Sequence, residues 1–361
     1  TGPPPPDRGG AGPTAEDLPR WIGYLSYDAC DLPRGAAHGP GFARLPGLYL
    51  ARYGALFAFD HQADQGFVVG DTPEAALDLQ EKLRAKPDPL PGFEAGEAQV
   101  PCPAAHMEAV ERVLRYIREG EIYQVNLARC WRASFAGAPL ALWLRMREAS
   151  PVPLGCFIAA GDHAVLACTM ERFLRHRSRD GAVWTSPIKG TLARQGKDAA
   201  EALRLRGDPK ECAEHAMVVD LMRNDLGRIA EIGSVEIEEL MAIQPYRGLS
   251  HLVSTVRARL PPGTGPGTLL EATFPPGSVT GTPKHRALGV IAELEPEARG
   301  VYTGAVGFID HRGGSSWAVA IRTAVVHDGQ VRYFAGGGLV ADSDPERETE
   351  ETVLKARVFN D

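Results

Sequence analysis

Ser316-Trp317-Ala318-Val319-Ala320-Ile321-Arg322-Thr323-Ala324-Val325-Val326 is a run of β-branched, aromatic and small side chains broken by a single charge, at Arg322. It reads as a strand, because β-branched residues lose rotamer freedom in a helix but fit a pleated, buried surface. Comparable stretches flank it at 302–309 and 330–335, and others stand earlier at 122–131, 155–160, 164–169, 234–237 and 251–260. Helical patterns separate them, at 104–118 (Val110, Val113, Leu114 and Ile117), 139–148 and 209–226. Long strands in succession predict antiparallel sheets covered by helices, hence an α+β fold.

Working toward the N-terminus, 21–27 and 48–53 are also strand-like, 55–60 and 66–70 form a hairpin, and an alanine-rich amphipathic helix follows over 73–85. Residues 87–101 read as a connector. Pro3-Pro4-Pro5-Pro6 and Gly9-Gly10 lie in a segment with almost no apolar side chains, so residues 1–18 are expected to be a disordered tail. The expected organisation is that tail, a β-rich part over 19–100 and a larger part over 101–361 that carries the chemistry.

The chain has 361 residues, of which 44% are hydrophobic and 24% charged, enough for a soluble protein with a sizeable core. A net charge of -7 speaks against nucleic acid as a partner, since phosphate-backbone binding rests on clustered Lys and Arg. An anionic ligand must then be held by a few placed cations or by a metal. The six cysteines show no C-x-x-C spacing, which fits free thiols in a reducing cytoplasm better than zinc or disulfides. No apolar run is long enough for a membrane span, and no secretory pattern opens the chain.

Several residues invite chemistry, each with a plainer alternative. Lys189, in Pro187-Ile188-Lys189-Gly190-Thr191, reads alone as a solvated loop residue. Glu211 with Glu214, and Glu348 with Glu351, place two carboxylates on one helix face, where they either face solvent or share a hard cation such as Mg²⁺. Gly336-Gly337-Gly338 can present bare N–H groups to an anion or simply turn the chain; it lacks the spacing of a dinucleotide fingerprint. Arg322 suits a carboxylate bidentately, whether a ligand's or a protein acid's. Gly277-Ser278-Val279-Thr280-Gly281-Thr282-Pro283-Lys284 is not a nucleotide phosphate loop, because Pro283 interrupts the required Gly-Lys.

Four blocks together carry a resemblance: 187–191, Ile122-Tyr123-Gln124-Val125-Asn126-Leu127, Asp220-Leu221-Met222-Arg223-Asn224-Asp225-Leu226-Gly227-Arg228, and Gly336-Gly337-Gly338-Leu339-Val340-Ala341-Asp342-Ser343. They resemble the chorismate-utilising enzymes, most closely the aminodeoxychorismate synthases, over roughly 20–361. The resemblance implies two packed antiparallel sheets flanked by helices and a substrate, chorismate, bound with Mg²⁺. It implies that Glu214 and Glu351 ligate the ion, with Glu211 and Glu348 reaching it directly or through water. It further implies that Arg322, Tyr302 and the loop of Gly336, Gly337 and Gly338 hold carboxylates, and that the 278–284 segment, with Ser278, and Gln124 and Thr191 line the site.

In the aminodeoxychorismate synthases the lysine at the place of Lys189 attacks ring carbon C2 as the C4 hydroxyl leaves, and ammonia then attacks C4; anthranilate synthases carry alanine there. The resemblance makes Glu171 the proton donor to that hydroxyl, although relatives carry proline where this chain has Met170, and it sets His251 facing the ring. Gln124 stands where the water-adding relatives place a lysine base, and a glutamine cannot take a proton from water. The implied reaction is therefore amination, with ammonia from a glutamine amidotransferase subunit or from free ammonium. The alternatives are an anthranilate synthase and a chorismate-binding docking subunit without turnover.

Overall fold

The computed structural model describes residues 18–30, 45–61, 63–193, 205–246 and 249–360. The tail expected over 1–18 thus lies almost wholly outside the described residues. Two large sheets, antiparallel throughout, face each other and organise the rest. The first has the order Gly281–Thr282, Gln124–Gly137, Gln330–Leu339, Thr323–His327, His163–Ala167, Cys156–Ala159, with Phe93–Ala95 also paired to Gln124–Gly137. The second runs Ile188–Ala193, Leu249–Arg259, Ala182–Ser186, Arg172–Arg177, Ser315–Val319, Ala305–Asp310, Pro19–Leu25, Leu48–Arg52, with Glu236–Tyr246 on the other side of Leu249–Arg259. Ala55–Asp60 and Gln65–Gly70 make a separate hairpin under the helix Pro73–Arg84.

Strand alternation sends one set of side chains inward. Tyr24, Val165, Ala167, Val306, Ala318 and Val325 come from both sheets and form one buried cluster between them. The outer face of the first sheet buries Trp131, Leu166 and Tyr333 against Leu142 and Met146 of the helix Pro139–Ala149 and Ala356 of the helix Pro345–Asn360. The second sheet buries Leu174, Val183, Val256 and Trp317 against Val218, Val219, Met222 and Leu226 of the helix Pro209–Gly227. Burying such side chains stabilises the fold by about 1.5–3 kcal/mol each, so packed faces outweigh local propensity here.

The run expected as one strand over 316–326 is instead two strands in different sheets, Ser315–Val319 and Thr323–His327. The break falls at the charge. Arg322 has φ +50, a conformation costly for a residue with a Cβ and incompatible with a continuing strand. A second crossover, over 168–171, joins His163–Ala167 of the first sheet to Arg172–Arg177 of the second. The two lie side by side: Cys168 N–H donates to the Arg322 carbonyl (3.0 Å), and Val319 N–H to the Glu171 carbonyl (3.0 Å). Composition cannot distinguish a long strand from two short ones sharing a hinge, since both need the same apolar side chains.

Candidate active site

Met170 and Glu171 cross between the sheets, the strands Arg172–Arg177 and Ala182–Ser186 follow, and Ile188–Ala193 then pairs with Leu249–Arg259. The register shifts between Lys189 and Thr191, so Gly190 is an extra residue, a bulge, with φ +68. Glycine suits that conformation, and a Cβ there would also stand 3.1 Å from the Glu211 carboxylate. The Gly190 carbonyl accepts from His251 Nδ1 at 2.9 Å, which fixes the proton on Nδ1 and leaves Nε2 its lone pair. Burial lowers the His251 pKa, keeping the ring neutral.

Opposite, Gln330–Leu339 pairs with Gln124–Gly137 in the register Gly338 to Asn126 and Gly336 to Ala128. Residues directly opposite share a face. Gly336 and Gly338 therefore lie on the inner face with Gln124, Asn126 and Ala128, whereas Gly337 faces outward. On the inner side, a Cβ at Gly338 would stand 2.6 Å from Gln124 Nε2 and 2.8 Å from Lys189 Nζ. On the outer side, a Cβ at Gly337 would stand 3.2 Å from the Glu348 carboxylate. Within Gln330–Leu339, Thr323–His327 pairs only with 330–333, so among the described residues no strand covers the other edge of the glycines. Their backbone groups can reach a ligand there.

The four predicted ligands come from two helices built alike. Asp208-Pro209 and Asp344-Pro345 open them, and the aspartates cap the first turns, Asp208 accepting from Lys210 N and Glu211 N and Asp344 from Arg347 N. Each Glu pair then lies within the first two turns, near the positive end of the helix dipole. Burial raises the pKa of Glu211, Glu214 and Glu348, and charge repulsion adds to it: Glu211 senses Glu351, and Glu214 senses Glu211 and Glu348. The pairs therefore face each other.

Lysines partly neutralise them. Glu351 is 2.6 Å from Lys355 Nζ and Glu214 is 4.0 Å from Lys210 Nζ. Burial tends to raise the Glu351 pKa, but Lys355 draws it below the ordinary value. Ser343 Oγ donates to Glu348 at 2.6 Å, which accounts for the serine closing the glycine block. Among the described residues no three His, Cys, Asp or Glu side chains converge tightly enough to share an ion in this arrangement. The donor set nevertheless fits a hard cation: oxygen only, in carboxylate excess, and repelling itself.

The amine of Lys189 completes the cluster. Burial lowers its pKa and Lys355 lowers it further, against Glu214, Glu171 and Glu211, which favour the charged form. Glu171 is buried, and burial pushes its carboxyl up to about 7, opposed by the Ser278 hydroxyl, Lys189 and the Ile188 N–H. An amine made easier to deprotonate thus stands beside a carboxyl made easier to protonate. That pairing can attack a carbon and protonate a leaving oxygen.

The other predicted residues fall into place unevenly. Arg322 donates to Ser150 Oγ at 3.2 Å, and among the described residues no carboxylate pairs with it, so its fork is not taken up by a protein acid. Tyr302 lies deeper on the inner face, its ring stacked on Phe334 with centroids 5.2 Å apart. Ser278 is buried, and Gly281 and Thr282 pair with Val125 and Gln124. Thr191 pairs its backbone with His251, but its side chain lies outside the described residues.

Lys284, expected to line the site with its segment, does not. Its amine is 2.5 Å from Asp225 and also donates to the carbonyls of Thr273 (2.9 Å) and Pro275 (3.0 Å). It ties the loop to the helix Pro209–Gly227, a structural use for the Asp220 block. Two residues escaped the sequence reading. Lys355 lies one turn beyond Glu351 and also donates to the Gly336 carbonyl (2.9 Å), a position that i,i+4 spacing from a predicted ligand signals. Asn126 was visible only as part of a motif.

A model of the chorismate binding enzyme family matches residues 6–361. Over 346 aligned residues the chain is 36% identical to aminodeoxychorismate synthase component 1 of Klebsiella aerogenes, covering 94% of this chain and 76% of that one. It is 37% identical to anthranilate synthase component 1 of Streptomyces coelicolor, covering 94% of this chain and 71% of the relative. Among solved structures, anthranilate synthase component I of Streptococcus pneumoniae superposes with a TM-score of 0.84 at 31% identity, covering 94% of this chain and 80% of that one.

Proposed function

The chain belongs to the family of chorismate binding enzymes, and from that premise we propose that it aminates chorismate at C4, as an aminodeoxychorismate synthase component 1. One observation carries the choice: Lys189 Nζ lies against Gly338 on the inner face, near the buried acid Glu171. Lys189 attacks C2, the ring double bonds shift, and the C4 hydroxyl leaves as water with the Glu171 proton. Ammonia then bonds to C4, the double bonds shift back, and the C2–N bond returns its electron pair to Lys189. The ammonium formed at C4 gives its excess proton to Glu171. Acid and nucleophile are both restored.

Glu211, Glu214, Glu348 and Glu351 would hold Mg²⁺, which when bound neutralises a substrate carboxylate beside the glycine edge. Arg322 and the Gly336 to Gly338 backbone are suited to a carboxylate, Tyr302 lies deeper along the same face, and His251 presents Nε2 toward the ring. Ammonia comes from a glutamine amidotransferase partner or from free ammonium, and the product leads toward 4-aminobenzoate and folate. No helix among the described residues is long and apolar enough to cross a membrane; a cytoplasmic location is part of the proposal.

A second reading has its own observation. Anthranilate synthases match this chain at nearly the same identity as aminodeoxychorismate synthases. Mass analysis after incubation with chorismate, Mg²⁺ and ammonium decides between them. A 4-amino product that keeps its enolpyruvyl group is expected; anthranilate with free pyruvate would establish the second reading.

A further inference from the structure

Asn126 is about nine-tenths buried, and among the described residues its Oδ1 has no hydrogen-bond partner. A buried carboxamide oxygen left unmatched costs about 1–3 kcal/mol, so a ligand that fills it is the natural account. Asn126 stands on the inner face, opposite Gly338 and two residues from Gln124 along one strand, on the face toward which Lys189 Nζ is directed. Its backbone is locked: N–H donates to Thr280 O (2.7 Å) and its carbonyl accepts from Arg299 Nη2 (2.8 Å).

The same guanidinium reaches Val279 O through Nη1 (3.0 Å), so Arg299 clamps the Ser278 turn to the strand that carries Asn126. The Ser278 hydroxyl is a second buried polar atom without a hydrogen bond of full geometry, although it lies near enough to Glu171 to favour the carboxylate. Arg299 thus ties the strand carrying a carboxamide oxygen to the turn carrying a hydroxyl, and that hydroxyl lies beside a carboxyl that, in the amination above, has given up its proton. All three accept hydrogen bonds.

We propose that Asn126, Ser278 and Glu171 form an ammonia pocket that holds the nucleophile by its N–H bonds and leaves its lone pair directed at C4. The pocket rests on the amination reading above. Ammonia has three N–H donors and one lone pair, matching three acceptors and one carbon. Water with one lone pair on C4 has only two O–H donors, leaves one acceptor unmet, and is disfavoured. Ammonium lacks the lone pair and must give up its proton before it can react.

The test uses the full chain with Mg²⁺, chorismate and ammonium chloride, and compares the parent with Asn126→Leu, which keeps the size and removes the acceptor, and Asn126→Asp, which keeps it. Asn126→Leu is expected to raise KM for ammonium on the order of tenfold, the loss of one hydrogen bond, with the chorismate dissociation constant and the ammonia-free Lys189 adduct unchanged. Asn126→Asp is expected to keep KM for ammonium closer to the parent value, and carries the comparison if Asn126→Leu does not fold. An unchanged KM for ammonium in Asn126→Leu overturns the pocket, as does an equal loss of chorismate affinity, which would put Asn126 on the ring. If Asn126→Asp alone is soluble, a tenfold higher KM overturns it. Failure of the parent to make a 4-amino product removes the amination reading itself, and is seen before any variant is compared.

Discussion

Cys168 N–H donates to the Arg322 carbonyl at 3.0 Å, and that bond joins the two points where the chain passes from one sheet to the other. Arg322 is therefore held by backbone on one side while its guanidinium projects from the hinge, with φ +50 and Ser150 Oγ as its one side-chain hydrogen-bond partner among the described residues. A planar fork on a rigid base is a carboxylate clamp, and a lysine on a flexible stem is not. Arg322→Lys should leave kcat/KM near that of Arg322→Ala, while Arg322→Gly should stay within about 1 kcal/mol of the parent in stability because it relieves the positive φ. Equal efficiency of Arg322→Lys and the parent would show the fork to be dispensable.

The glycines make a sharper pair. At Gly338 a Cβ meets the ends of two flexible side chains, Gln124 Nε2 and Lys189 Nζ; at Gly336 it meets the Leu127 carbonyl at 2.6 Å, which cannot swing away. Gly338→Ala should fold with a melting temperature close to the parent and lose adduct formation by displacing Lys189. Gly336→Ala should be destabilised by about 1–3 kcal/mol, the cost of overpacking. Reversal of that order under thermal denaturation would contradict the inner-face geometry.

Much of this was legible in the sequence, and what was not has identifiable causes. Antiparallel sheets and the helices at Pro103–Arg118, Pro139–Ala149 and Pro209–Gly227 follow from periodicity. The split of 316–326 does not, because its only signal is one arginine and its cause is a hinge made by a distant backbone bond. Lys284 and Lys189 both lie within two residues of a preceding proline and near glycines, but one finds Asp225 and the other a bulge, and only tertiary register distinguishes them. The Glu pairs were visible as spacing; that they face each other depends on how two helices approach.

Glu171 must be protonated to serve as acid, and burial sets its pKa at about 7. The rate of adduct formation should fall at pH values above both 7 and the lowered Lys189 pKa, where the amine is neutral and the carboxylate dominates, by about tenfold per unit. The folded pKa lies above that of the unfolded chain, so the native state binds the extra proton, and this group's contribution to stability is present at low pH and lost as pH rises through about 7. Glu171→Gln should lack both slopes. A pH profile of adduct formation that keeps its basic limb in Glu171→Gln would assign the limb to another group.

Removing a metal-facing carboxylate should separate binding from folding. Mg²⁺ is expected to raise the melting temperature of the parent, and Glu214→Ala and Glu351→Ala should abolish both turnover and that rise, since an ion stabilises only the state that binds it. In chelator Glu214→Ala should match the parent or exceed it by a few tenths of a kcal/mol, about the size of a relieved like-charge pair on a helix, whereas Glu351→Ala, which loses the Lys355 pairing, should match it or fall short by a similar amount. Retention of the Mg²⁺-dependent shift in both variants would place the ion elsewhere.

Lys189 bears the heaviest prediction. If its amine bonds to C2, a peptide containing Lys189 should gain the mass of chorismate less water when ammonia is withheld, and should lose it on addition of ammonium. Lys189→Ala removes the only amine directed at Gly338 among the described residues, so it should form no adduct and make the 4-amino product at a rate lower by several orders of magnitude, in line with the loss of a nucleophile. Lys189→Arg should not rescue it, because a guanidinium stays protonated and cannot attack. Direct attack by ammonia at C2 in Lys189→Ala opens instead the route to anthranilate. Native-rate 4-amination by Lys189→Ala, with no adduct in the parent, would leave Lys189 as no more than a charge beside the glycines.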